Sequence, residues 1–171
     1  PKRAMAYVDR LREAFTTLDP DGADAYASNA EVYNKKLQAL DRELRDALET
    51  IPPQHRLLVS CEGAFTYLAS DYGLEEAFLW PVNAESEITP KRMARLINTV
   101  RDRAVPAVFC ESTVSDKAQR EVAAAANSQF GGTFYVDSLS KPDGPAPTLL
   151  ELQRHNVKLI LDGLTDRGGD A

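Results

Sequence analysis

The chain has 171 residues, of which 43% are hydrophobic and 27% charged, as is typical of a globular domain with a packed core. Its formal net charge of −6 argues against a surface that binds the phosphates of DNA or RNA, although it suits a cationic ligand. No apolar run approaches the roughly 20 residues that a membrane-spanning helix needs. The opening residues 1–4 show no signal peptide or lipidation motif, and we expect the chain to be a fragment rather than a cytosolic protein.

Two helices are predicted in the first third of the chain. Apolar residues recur at three- and four-residue steps over 5–18, which predicts an amphipathic helix that the Pro- and Gly-containing segment 19–22 ends. The same spacing continues over 26–51 and predicts one long helix, which the Pro-Pro pair at 52–53 ends. At about 1.5 Å per residue this helix would be roughly 40 Å long, so a connection between two lobes is its natural use.

After residue 53, short apolar runs alternate with helical segments, a pattern typical of β-α-β units around a parallel sheet. Strands are predicted at 57–59, 77–80, 107–109 and 134–136. Helices are predicted near 64–72, 90–103, 116–127 and 147–164. The predicted fold class is therefore α/β, a four-stranded parallel sheet flanked by helices and preceded by the long connecting helix.

Three of the predicted strands are followed by an acidic residue: Glu62, Glu111 and Asp137. Because the carboxyl ends of parallel strands face one crevice, we expect these carboxylates to converge there. They would repel one another without a cation, and Mn(II), Mg(II) and Ca(II) prefer oxygen ligands. The alternative is that the acids cap the following helices or pair with Lys117, Arg120 or Lys141.

Two cysteines directly precede two of these acids. Cys61 stands before Glu62 and Cys110 before Glu111, so both cysteines are expected at the same height on their strands. In a sheet of strand order 2-1-3-4 the first and third strands are neighbours about 4.8 Å apart, within the Cα separation that a disulfide tolerates. We predict a Cys61–Cys110 disulfide, which implies an oxidising compartment. The alternative is two reduced cysteines that pack as small hydrophobes.

The remaining candidate residues are predicted to have no functional role. His55 precedes the first strand at the opposite end of the sheet, and His155 falls outside the apolar stripe of the last helix, so both are expected at the surface without a ligand role. Trp80 is expected in the core, with a place in the crevice wall as the alternative. The motifs GxGxxG, GxxxxGKS/T, GxSxG and HExxH are absent, and no activated nucleophile beside a base is recognisable, so an enzyme is not expected.

Four segments in order resemble one family. They are SCEGAFTYL at 60–68, WPVNAE at 80–85, FCESTVSD at 109–116 and YVDSLS at 135–140. They are similar to the manganese/iron/zinc solute-binding proteins of ABC transporters, the TroA-like family, and the likeness extends over essentially the whole chain. Family members have two α/β lobes joined by one long helix. The resemblance implies that 1–19 is the last helix of the N-lobe, whose remainder is absent, that 20–51 is the linking helix, and that 52–171 is the C-terminal α/β lobe.

The same resemblance implies the ligands. In the family two N-lobe histidines and two C-lobe residues bind the metal between the lobes. The matching C-lobe ligands are Glu62 and Asp137, while Glu111 supports the site without touching the metal. The histidines would lie upstream of Pro1, so the chain carries half of a site. Zinc-selective relatives have histidine at the position of Glu62, and a carboxylate favours Mn(II) or Fe(II) over Zn(II), although zinc would still bind.

The function implied is capture of a divalent metal and its delivery to an ABC permease. Such a protein would be non-enzymatic, would bind no nucleic acid and would be a monomer when full-length. It would lie in the periplasm or at the outer cell surface, lipid-anchored in a Gram-positive organism. The alternatives are a surface adhesin and, less in keeping with the motifs, a metal-dependent α/β hydrolase.

Overall fold

The computed structural model describes residues 1–84 and 88–165. The chain divides into two compact units, Pro1–Asp46 and Ala47–Ala171. Within the described ranges, no helix combines the length and the apolar character that a bilayer span requires.

The first unit is built on a pair of helices. Helix α1 covers Lys2–Leu18, a 3-10 turn covers Pro20–Gly22, and helix α2 covers Ala23–Leu48. With 26 residues, α2 is about 39 Å long at 1.5 Å per residue, which confirms the predicted long helix. Asn34 Nδ2 on α2 donates a hydrogen bond of 2.9 Å to Asp9 Oδ1 on α1. The predicted break at 19–22 therefore lets the two helices meet side by side.

The second unit alternates strands and helices, and this confirms the predicted α/β class. Its elements are β1 Leu57–Glu62, α3 Thr66–Tyr72, β2 Glu75–Trp80, α4 Pro90–Asp102, β3 Ala107–Glu111, α5 Lys117–Ala126, β4 Gln129–Phe134 and α6 Leu149–Leu164. The hydroxyl of Thr89 accepts the Arg92 N–H at 3.2 Å, and the hydroxyl of Thr148 accepts the Glu151 N–H at 3.3 Å. These two caps define the starts of α4 and α6, because each satisfies a backbone donor that the first helical turn leaves open.

Hydrogen bonding groups the four strands into two parallel pairs. β1 pairs with β2 and β3 pairs with β4, each as a two-stranded sheet in the described part of the chain. β1 and β3 are nevertheless neighbours, because Cys61 and Cys110 have Cα atoms 4.8 Å apart. At the end of β1 the N–H of Glu62 donates a hydrogen bond to the side chain of Glu111 at the end of β3. The strands therefore lie in the predicted order 2-1-3-4. Between the two central strands, β1 and β3, part of the connection is made by side chains.

The predicted position of the fourth strand was wrong. β4 covers Gln129–Phe134 and ends before Tyr135. Gly131 and Gly132 interrupt the apolar pattern by which a strand is recognised. Close packing requires the glycine at 131, because a Cβ there would lie 2.4 Å from Cε1 of Phe109. The Phe109 ring in turn stacks on Phe134 with centroids 4.7 Å apart. Asp137 therefore follows the strand at a distance of three residues, in the loop beyond it.

Both histidines differ from their predicted surface positions. His55 is buried at 9% exposure, with its Nδ1 atom 3.1 Å from the carbonyl oxygen of Leu164 at the end of α6. His155 is half-buried, with Nε2 3.2 Å from the carbonyl oxygen of Thr133. Each ring contacts a segment that is distant in sequence. Such contacts cannot be inferred from the spacing of apolar residues along one segment. Trp80 is buried in the core, as predicted.

Candidate metal site

Two acidic residues end the two neighbouring strands β1 and β3. Glu62 is 7% exposed and Glu111 is 2% exposed. The main-chain N–H of Glu62 donates a hydrogen bond of 3.2 Å to Glu111 Oε2. The structure therefore brings together two of the three acids that the sequence places after strands, on residues 49 positions apart.

The predicted disulfide lies directly behind these acids. Cys61 and Cys110 are joined with an S–S distance of 2.00 Å, and this confirms the pairing. Their sulfur atoms lie within 4.8 Å of a Glu111 oxygen, but disulfide sulfurs are not the thiolates that bind metals. The disulfide therefore links β1 to β3 covalently and fixes the spacing of the two strands one residue before Glu62 and Glu111.

Glu111 is a buried carboxyl with a raised pKa. Burial raises the pKa of its carboxyl to about 7, against hydrogen bonds from the backbone of Glu62 and of Glu111 itself, and the Glu62 carboxylate adds to the rise. Its Oε1 atom has no hydrogen-bond partner among the described residues. Arg120, a partner considered for these acids, instead bonds Asp116 at 2.8 Å. Below pH 7 the Glu111 carboxyl is mostly protonated, and in that form it does not repel the Glu62 carboxylate.

The Glu62 carboxylate is oriented by a turn that follows β2. Its Oε1 accepts the backbone N–H of Asn83. Asn83 has a φ of 60°, a left-handed conformation that asparagine tolerates better than most residues. A hydrogen bond of 3.0 Å from Ala84 N–H to Pro81 O closes the turn. This contact was not predicted from the sequence, although proline and asparagine at 81 and 83 are residues typical of turns. Residues 85–87, which follow this turn in the sequence, lie outside the described part of the chain.

Asp137 is exposed in the loop that follows β4. β4 pairs with β3 so that Phe134 lies opposite Glu111. The Ser112 N–H donates to the carbonyl oxygen of Phe134 at 2.8 Å, and the Ser112 and Ser138 hydroxyls share a hydrogen bond of 3.1 Å. The loops after β3 and β4 are therefore joined beside Asp137.

Of the two predicted ligands, Glu62 is thus the last residue of β1 and Asp137 lies in the loop after β4, with β3 and its Glu111 between those strands. Glu62 and Asp137 offer carboxylate oxygens there, and Glu111 at the end of β3 has an Oε1 atom without a hydrogen-bond partner in the part of the chain that the structure describes. Such a set suits a hard or borderline divalent cation.

Comparison with known proteins identifies the family. Residues 1–163 match the family described as ZnuA, zinc-uptake complex component A periplasmic. The iron-binding protein YfeA of Yersinia pestis is 44% identical over 163 residues, which are 95% of this chain and 52% of that protein. The manganese-binding lipoprotein MntA of Halalkalibacterium halodurans is 33% identical over 164 residues, which are 96% of this chain and 55% of that protein.

Solved structures agree with the sequence match. The Mn-bound periplasmic metal binding protein of Candidatus Liberibacter asiaticus has a TM-score of 0.88 at 41% identity, and the match covers 95% of this chain and 60% of that one. The periplasmic zinc binding protein TroA of Treponema pallidum has a TM-score of 0.87 at 25% identity, covering 92% and 59%. The chain spans about half the length of the curated relatives it matches. The match over nearly all of this chain shows that it belongs to the ZnuA/TroA family of substrate-binding proteins of metal ABC transporters.

Proposed function

We propose that this chain supplies the C-terminal half of a binding protein that captures a divalent transition metal outside the cytoplasm and passes it to an ABC permease. The observation that carries the proposal is the placement of Glu62 at the end of β1 and of Asp137 in the loop after β4, two strands that both neighbour β3. The metal is the cargo of such a protein, and the role of the chain is to hold it and release it.

The proposed division of the chain is 1–19 as the last helix of an N-lobe, 20–51 as the linking helix and 52–171 as the C-lobe. The first unit supports this division. α1 has no buried residue, and Leu11 on its apolar side is 53% exposed. A cavity of about 450 Å³ lies between α1 and α2, lined mostly by apolar and aromatic side chains, among them Phe15 and Tyr33. An apolar face of this kind is typical of a helix that packs against further protein.

The proposed cargo is Mn(II) or Fe(II) in preference to Zn(II). Both proposed ligands are carboxylates, which favour harder ions than imidazole or thiolate ligands do. The relatives carry names for iron, manganese and zinc binding. Zinc is expected to bind as well, because its intrinsic affinity for oxygen and nitrogen ligands exceeds that of Mn(II) or Fe(II).

The proposed location is the periplasm or the outer cell surface, where the partner is the membrane permease. The Cys61–Cys110 disulfide supports an oxidising compartment. Two relatives have names that include periplasmic or lipoprotein. We propose a monomer that binds without catalysis.

The ligand assignment is tested on the full-length protein. Mn(II) binding is measured by calorimetry for the wild type and for Glu62→Ala and Asp137→Ala, with Glu121→Ala, an exposed acid on α5, as the matched control. We expect a loss of at least tenfold in affinity for each ligand variant, as loss of a carboxylate ligand removes a direct metal bond, and no change for the control. Undiminished affinity in both ligand variants would overturn the proposal.

A further inference from the structure

A buried asparagine holds the chain just before Asp137. Asn156 lies on α6 and is 4% exposed. Its Oδ1 accepts the N–H of Tyr135 at 3.0 Å, and its Nδ2 donates to the carbonyl oxygen of Tyr135 at 2.7 Å. One side-chain amide therefore pairs both backbone groups of Tyr135, as a neighbouring strand would. Since β4 has ended at Phe134, Asn156 extends the backbone pairing by one residue towards Asp137.

Further contacts hold the same short segment on both sides of Asp137. The ring of His155, the preceding residue on α6, meets the Tyr135 ring edge-on with centroids 5.4 Å apart. After Asp137, the Ser138 hydroxyl is bonded to Ser112 at 3.1 Å. Asp137 is itself exposed, in a segment that is held through the backbone of Tyr135 on one side and through the side chain of Ser138 on the other.

We infer that Asn156 is a positioning residue for the metal site, and that it sets the place from which Asp137 reaches the cargo ion. This inference rests on the proposed function, because it needs Asp137 as a ligand. Asparagine is suited to the task because its short side chain carries one acceptor and one donor in a fixed plane. An apolar residue of similar size would leave both polar groups of Tyr135 without their partners, and the segment would have to move to find water.

The competing explanation is that Asn156 only stabilises the fold. Four full-length variants separate the two explanations: Asn156→Leu, Asp137→Ala, the double variant, and Ile160→Val as a control at a buried position on the same helix. The Mn(II) dissociation constant is measured by calorimetry and the melting temperature by circular dichroism. We expect Asn156→Leu to weaken Mn(II) binding by about tenfold or more. Ile160→Val should lower the melting temperature and leave the dissociation constant within about twofold of the wild type.

The double variant gives the decisive result. If Asn156 acts through Asp137, the Asn156→Leu change should not weaken binding further once Asp137 is alanine, so the two effects are non-additive. An equal weakening by Asn156→Leu in both backgrounds would overturn the inference, as would an unchanged dissociation constant for Asn156→Leu. Undiminished binding by Asp137→Ala alone would instead overturn the ligand assignment, so the two failures are distinguishable.

Hydrogen exchange of the metal-free protein gives a local measurement. Amides of residues 135–138 should exchange faster in Asn156→Leu than in the wild type, and Ile160→Val should leave their protection relative to the rest of α6 and β4 unchanged. If Asn156→Leu does not fold, Asn156→Asp replaces it, since it keeps the acceptor for the Tyr135 N–H and puts a carboxylate oxygen in place of the donor that faces the Tyr135 carbonyl. Unchanged exchange and unchanged binding in that variant would equally overturn the inference.

Discussion

Glu62 donates its main-chain N–H to the carboxylate of Glu111 at 3.2 Å, although the two residues lie 49 positions apart in the chain. This bond and the adjacent Cys61–Cys110 disulfide connect β1 to β3. The two hydrogen-bonded strand pairs are therefore linked, by a covalent bond and a hydrogen bond, at the edge where the proposed metal ligands lie.

Removing the disulfide should destabilise the chain and loosen that edge. For Cys61→Ser/Cys110→Ser we expect the free energy of unfolding to fall by roughly 2–4 kcal/mol, since the link closes a long loop. Urea unfolding of wild type and variant measures the loss. The wild type unfolded with dithiothreitol present serves as the control and should approach the variant. Equal stability of oxidised wild type and variant would contradict this prediction.

The metal-free chain should show a pH dependence that comes from Glu111. Its pKa is raised from the ordinary value of 4.5 to about 7 by burial, so between these values the folded state holds a proton that the unfolded state has lost. The stabilising contribution of that proton is complete below pH 4.5, declines as pH rises, and is absent above pH 7. Glu111→Gln, which stays neutral, should therefore gain stability relative to the wild type across this range, by roughly 3 kcal/mol at most.

Urea unfolding at pH 5 and pH 8, in the presence of a chelator, measures this difference. Glu121→Gln on the exposed side of α5 is the control and should show the same pH dependence as the wild type. A constant difference between Glu111→Gln and the wild type at both pH values would show that the carboxyl titrates normally.

The backbone conformation of Asn83 should affect the site through Glu62. Valine resists a φ of 60°, so Asn83→Val should cost roughly 1–3 kcal/mol in stability and turn the Asn83 N–H away from the Glu62 carboxylate. Mn(II) affinity of the full-length protein should fall with it. Asn83→Gly tolerates the same φ and should stay close to the wild type in both calorimetry and thermal melting. Identical affinity for the valine and glycine variants would rule out a role for this turn.

Gly131 on β4 should not tolerate a side chain. A Cβ at Gly131 would approach Phe109 Cε1 to 2.4 Å, so Gly131→Ala should destabilise the chain by roughly 1–3 kcal/mol through overpacking. The matched test is a double-mutant cycle measured by chemical unfolding. In a Phe109→Leu background the smaller side chain leaves room, and the cost of Gly131→Ala should be smaller. Additive effects would show that the two positions do not oppose each other.

Most helices and three of the four strands are encoded in short stretches of the sequence. The three- and four-residue apolar steps of α1 and α2 and the threonine caps of α4 and α6 act within one or two turns, so periodicity and composition identify them. The disulfide was also predictable, because Cys61 and Cys110 each precede an acid at the end of an apolar run and thus share a register.

Features that depend on contacts between distant segments were not predictable in this way. The Gly131 position is explained by a ring on another strand, and His55 is buried against Leu164, 109 residues away. Asn156 has an ordinary place in the α6 sequence, and its pairing with Tyr135 arises only when helix and loop meet. The sequence alone thus determines the features that depend on nearby residues, namely local hydrogen bonds and the spacing of side chains. Burial and the pairing of polar groups between distant segments depend on which surfaces the folded chain brings into contact.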